Sequence, residues 1–145
     1  MLILGYGGSI HDFSYCLLED EDIVCAVEEE RISREKYGIG KASLLARGSK
    51  YCLNERPGQK PDMVVTNDLL LPQFKEAHAK DAIIINHHLS HAAGVFYTSG
   101  YDEAAILVAD GRGSELVQVL KRSLFIMEKG MKSNWSTVLW DRKNN

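Results

Sequence analysis

Residues 83–111 read IIINHHLSHAAGVFYTSGYDEAAILVADG, and this stretch decides the fold class. It opens on Ile83-Ile84-Ile85, a short β-branched run of the kind that forms a buried strand. From His88 to Tyr97 the pattern turns helical, with Ala92, Ala93 and Phe96 on the face opposite most polar groups. Ala104 to Ala109 (AAILVA) is apolar again and stops at Asp110-Gly111. Strand, helix and strand in direct succession predict an α/β architecture.

The segments on either side extend that reading. Leu2-Ile3-Leu4 is an apolar run that meets the turn-forming cluster Gly5-Tyr6-Gly7-Gly8. Phe13 to Leu18 (FSYCLL) and Ile23 to Val27 (IVCAV) flank the acidic stretch Glu19 to Asp22, which predicts a turn between two strands. The first 28 residues therefore form a three-strand antiparallel meander. Over residues 41–54 the period changes: Leu44 and Tyr51, like Leu45 and Cys52, lie seven apart and share a helical face. Gly48 either weakens that helix or admits a close approach by another backbone segment. Residues 55–61 (ERPGQKP) form a loop, Met63 to Val65 a short strand, and a poorly patterned segment leads to Ile83. The order is β-β-β-α-β-(α)-β-α-β with a mixed sheet. Beyond Gly113, residues 116–120, 124–127 and 138–140 predict three more strands with nothing after them to cover a second sheet.

Composition narrows the function classes. The 145 residues carry 17 basic and 20 acidic side chains, a formal charge of −3, and 45% are hydrophobic. That hydrophobic share is ordinary for a globular chain and too high for a disordered one. The scattered charge leaves no basic footprint for nucleic acid. No apolar run approaches the roughly 18 residues of a membrane span. MLILGYGGSIHDF lacks a basic n-region and its apolar stretch is broken by glycines, so it does not read as a signal peptide, and a cytoplasmic setting is expected. Cys16, Cys25 and Cys52 are odd in number and lie in apolar segments, as reduced core thiols do.

Three places carry chemistry. In Asn86-His87-His88-Leu89-Ser90-His91, the four-residue spacing of His87 and His91 puts both imidazoles on one helical face. Two such imidazoles suit one zinc or iron ion. The alternative is a helix start whose histidines only cap or bond the backbone. Asp110, at the end of an apolar strand, is the candidate third ligand, since carboxylates there project from the sheet edge where α/β proteins bind ligands. Gly7-Gly8-Ser9-Ile10-His11-Asp12 joins the first two strands. Its glycines admit close backbone approach and an anion nest. His11 suits a general base, with Asp12 to orient it or bind a cation. A plain hairpin with a polar tip explains the same residues. Glu28-Glu29-Glu30-Arg31 is a solvated charge run, or one that turns a carboxylate or Arg31 into a cleft.

Residues 3–38 (ILGYGGSIHDFSYCLLEDEDIVCAVEEERISREKYG), YCL at 51–53 and residues 86–115 (NHHLSHAAGVFYTSGYDEAAILVADGRGSE) together resemble the start of the O-carbamoyltransferase family of nodulation protein U and the cephem carbamoyltransferases. The resemblance covers residues 1 to about 115, with a poorly matched middle from 54 to 80. It implies an incomplete actin-like ATPase (ribonuclease H-like) subdomain over 1–115, with 116–145 the start of a second subdomain or a divergent tail. It also implies an activity. Members make carbamoyl-adenylate from carbamoyl phosphate and ATP in a further domain, then pass the carbamoyl group to a small-molecule hydroxyl. By the same resemblance His87, His91 and Asp110 hold a divalent metal, iron or else zinc, His11 is the base, and Gly7, Gly8, Gly111 and Gly113 line the nucleotide. Family members are far longer than 145 residues. The chain is therefore expected to be inactive alone, and a truncated gene, a split gene whose missing C-terminal domains form a separate chain, and a fragmentary gene model are all open. A non-catalytic remnant or interaction module, and a relative of the tRNA-threonylcarbamoyl transferases, are the competing readings.

Overall fold

The computed structural model describes residues 1–9, 11–38 and 44–110, together with the strand backbones of 122–128 and 136–138. It divides into two units, Met1–Ile85 and Asn86–Asn145. In the first, β1 (Leu2–Gly7), β2 (Ser14–Glu19) and β3 (Asp22–Glu28) form the antiparallel meander read from the sequence. The chain then makes α1 (Glu29–Ser33), a tight turn at Lys36–Gly38 and α2 (Arg47–Leu53). It continues through β4 (Met63–Asn67), α3 (Pro72–His78) and β5 (Ile83–Ile85). Strands β4 and β5 add in parallel beside β1, giving the order β3-β2-β1-β4-β5. The sheet is mixed, and the architecture is α/β.

Alternation decides which face is covered. Leu2, Leu4 and Tyr6 of β1 and Tyr15 and Leu17 of β2 are buried, while their neighbours in each strand are half-exposed. The register pairs Leu4 with Leu17 and Tyr6 with Tyr15, so these side chains share one face. Cys52 from α2 and Phe74 from α3 close over it with Phe13 and Leu70. Phe74 makes ring contacts with Tyr6, Phe13 and Tyr15 at centroid distances of 5.4, 5.1 and 6.5 Å. The sequence reading ends the first strand at Leu4. The strand instead runs to Gly7, because Tyr6 gains both its ladder position and this aromatic contact.

Two further expectations change in detail. The helix expected over 41–54 is formed over Arg47–Leu53, preceded by Ala46 in a left-handed conformation (φ 46°). Leu44 and Leu45 thus precede the break and are exposed, as is Tyr51, while Cys52 alone of the four enters the core. Residues 41–43 lie outside the described residues. At Gly48 the neighbour is a side chain rather than a backbone segment: a Cβ there would run into the Tyr15 ring. The charge run turns inward at one position, since Glu29 is fully buried and accepts a 3.1 Å hydrogen bond from the Gly48 amide. Burial, and then the Glu29 carboxylate, push the Tyr15 phenol well above its ordinary pKa.

In the second unit α4 (His87–Ser99) packs on β6 (Glu103–Ala109) through Ala92, Phe96 and Val108. Asn86 caps α4 by accepting from the Leu89 amide at 3.1 Å, and Gly100 ends it in a left-handed conformation (φ 80°). Strand β6 pairs antiparallel with β7 (Arg122–Glu128), which pairs antiparallel with β8 (Ser136–Val138). The expected strand at 124–127 lies within β7, and Val138 ends β8. Residues 116–120 and 139–140, and the expected subdomain boundary at 115/116, fall outside the described residues.

The two helical glycines separate packing from propensity. We expect Gly48→Ala to lower the urea midpoint, at a cost of about 1–3 kcal/mol, because the methyl group overpacks against a fixed ring. Gly94 is an exposed position of α4 with open space where a Cβ would stand. Gly94→Ala is expected to stabilise by about 0.5–1 kcal/mol.

Candidate metal centre

Helix α4 begins one residue after β5 ends, and its Asn86 cap fixes the first turn. One turn carries His87 and His91 on the same side, so their rings lie 4.5 Å apart, centroid to centroid, at 80°. Asp110 follows β6 immediately, and the Ala92–Phe96–Val108 packing holds that strand end beside the helix start. His87 Nε2 is 2.6 Å from Asp110 Oδ2. His91 Nε2 is 3.2 Å from His87 Nε2 and 3.7 Å from Asp110 Oδ2. Among the described residues these three form the one group of histidine, cysteine and carboxylate side chains close enough to share a metal ion.

The set fits a divalent ion. Bonds of about 2.0–2.2 Å put neighbouring ligand atoms about 3.0–3.5 Å apart. The 3.2 Å separation matches, the 3.7 Å one closes by a few tenths of an ångström, and the 2.6 Å hydrogen bond opens by less than an ångström to join them. Two imidazole nitrogens and one carboxylate oxygen suit iron(II) or zinc and leave other coordination positions open. His87 is largely buried and Asp110 partly so, whereas His91 is about half exposed, at 54% of its side chain. Burial first, and then the neighbouring His87, lower the His91 pKa below 6.5, against the opposing pull of Asp110. A lowered pKa keeps the imidazole neutral near pH 7, which is the ligating form. His88, in the same motif, is buried and is not part of the group.

The remaining sequence candidates lie in the first unit or outside the described residues. His11 is about half exposed, and its Nδ1 is 2.6 Å from Asp12 Oδ2. Asp12 is left-handed (φ 56°) and its amide donates to the Tyr37 carbonyl at 2.7 Å. Gly8 has φ 122°, and a Cβ there would meet Phe13 Cα at 3.0 Å, so the turn itself demands glycine. Gly7 closes β1 opposite Ser14. Gly111 and Gly113 lie outside the described residues. Tyr37, whose ring stands 6.5 Å from that of His11 and whose own φ is 64°, was not singled out in the sequence. A left-handed tyrosine in a three-residue turn carries no periodic signal.

No protein-family model matches the chain. It is similar to the uncharacterized protein sll1178 of Synechocystis sp., 32% identical over 161 aligned positions that cover 77% of this chain. It is also similar, more distantly, to nodulation protein NolNO of Sinorhizobium fredii, 27% identical over 138 positions and 72% of this chain. The chain spans 25% and 20% of the lengths of these two curated relatives. Among the described residues, no helix is long and apolar enough to cross a membrane.

The electrostatics give a titration test. The His91 midpoint, followed by NMR, should lie below 6.5, rise in His87→Ala and fall further in Asp110→Asn. With a lowered folded pKa, the contribution of His91 to stability is present above pH 6.5 and is lost as the pH falls through that folded value.

Proposed function

We propose that this chain is the N-terminal part of an ATP-dependent O-carbamoyltransferase, within an actin-like fold. The observation that carries the reading is the His87–His91–Asp110 cluster, three donors on one helix start and one strand end. The mixed sheet that opens on a meander, and the distant likeness to a nodulation protein, support it. His87, His91 and Asp110 would hold a divalent metal, iron or zinc. When bound, that ion supplies a site for a nucleotide phosphate and polarises the carbamoyl donor.

The other roles fall to the chain itself. His11 is the base that takes the proton from the acceptor hydroxyl as its oxygen attacks the carbamoyl carbon. Its Nδ1 is engaged by Asp12, so Nε2 is the nitrogen that receives the proton. The amides of the Gly7–Gly8 turn are the nest for the donor's phosphate. Carbamoyl phosphate and ATP are consumed by domains that correspond to the remaining length of the relatives, and the acceptor is a small molecule bearing a hydroxyl. The chain works in the cytoplasm, with neither nucleic acid nor membrane as partner.

Metal content and turnover test this separately. The isolated chain should bind iron(II) or zinc by calorimetric titration. His91→Ala should weaken binding about tenfold or more, and binding should decline below pH 6.5 as protons compete for the imidazoles. Carbamoyl transfer should appear only when the remaining domains are supplied, and His11→Asn should then abolish turnover while metal content stays unchanged. Turnover of carbamoyl phosphate and ATP by the 145-residue chain alone would overturn the reading. Metal binding without transfer by the assembled protein would favour an interaction module.

A further inference from the structure

The three cysteines are not equivalent in space. Strand β3 carries a bulge: Leu17 pairs with Cys25 and Leu18 with Ile23, leaving Val24 as the extra residue. Cys25 shares the Leu17 side of the sheet, where it packs against the first unit's core beneath α2. Cys52, near the end of α2, is fully buried in that core. The two sulfurs are in direct contact, Sγ to Sγ 2.6 Å, across 27 residues of sequence. Cys16 pairs with Ala26 in the ladder, and its strand neighbours Tyr15 and Leu17 are the buried ones, so its side chain stands on the other face.

We infer that Cys25 and Cys52 are a modification site, a thiol pair that a peroxide converts to an intrachain disulfide joining β3 to α2. Cys25 is the more exposed of the two and meets the oxidant. Its thiol attacks the peroxide, the O–O bond breaks, and Cys25 becomes a sulfenic acid as an alcohol, or water from hydrogen peroxide, departs. The Cys52 sulfur then displaces the sulfenic oxygen, giving the disulfide and one water. Two thiols lose two electrons and two protons in all, and the peroxide takes both. Burial raises the Cys52 thiol well above its ordinary pKa, which makes this second step slow and casts Cys52 as the resolving partner. The bond closes a loop that contains α1, buried Glu29 and Gly48, so it fastens the helical layer to the sheet. The inference stands apart from the proposed function, since no residue of the metal cluster takes part.

The reduced full-length chain, exposed to hydrogen peroxide, tests it. Thiol titration under denaturing conditions should fall from three groups to one, with a mass loss of about 2 Da. Peptide mapping should find Cys25 joined to Cys52 and Cys16 still free. The thermal midpoint should rise by about 5 °C or more and return on reduction with dithiothreitol. Cys16→Ser should cross-link like the parent, and Cys25→Ser should not. Three titratable thiols after oxidation, a bridge that includes Cys16, cross-linking between chains, or Cys25 recovered only as sulfinic acid would each overturn the assignment.

Discussion

The ring of Tyr15 occupies the space where residue 48 would otherwise carry a side chain, and much of the first unit is arranged around that contact. Because Gly48 is bare, α2 can lie close upon β2. Closeness then brings the Gly48 amide within reach of Glu29, whose carboxylate would be costly to bury without such a donor. The same approach delivers Cys52 to Cys25. Tyr15 is in turn held by Tyr6, 5.6 Å away and edge-on, and by Phe74 from α3, so both helices are referred to one aromatic side chain. A single steric demand thus connects sheet, helices and a buried acid.

The second unit solves a different problem with fewer parts. There, two histidines and an aspartate from separated places converge within a few ångströms. Helical periodicity brings two of them together without further help, since His87 and His91 are one turn apart. The third depends on packing, because only the seating of α4 on β6 sets Asp110 beside His87. Core residues Ala92 and Phe96 alternate along the helix with the polar motif, so the face that builds the core and the face that builds the cluster are fixed by one register.

Much of this was legible in the residues, and the limits have physical causes. The strands at 14–19, 22–28 and 83–85 follow from apolar runs bounded by turns, and α4 from its apolar face. The metal candidates follow from spacing plus a strand end. By contrast, α3 was poorly marked because its contribution to the core is mainly one residue, Phe74. The shortened α2 reflects the left-handed backbone at Ala46, a local event that seven-residue spacing does not report. Burial of Glu29 was unreadable for a stronger reason. Its compensating donor is a backbone amide 19 residues away, and tertiary structure alone puts it there. Likewise the proximity of Cys25 and Cys52 depends on a bulge, which shifts one strand by a residue and leaves no mark on composition.

The position of β1 bears on how the chain reaches its fold. Strand β1 is the middle of a five-strand sheet, flanked by β2 on one side and β4 on the other. The β2 edge can close at once, through a hairpin between neighbouring segments. The β4 edge waits for Val64 to meet Leu4, after some sixty further residues have been made. Until then β1 presents an open row of amides and carbonyls beside an apolar face, the state most exposed to wrong partners. Folding of this unit is therefore ordered in time: a local meander forms early, and a long-range parallel ladder completes it.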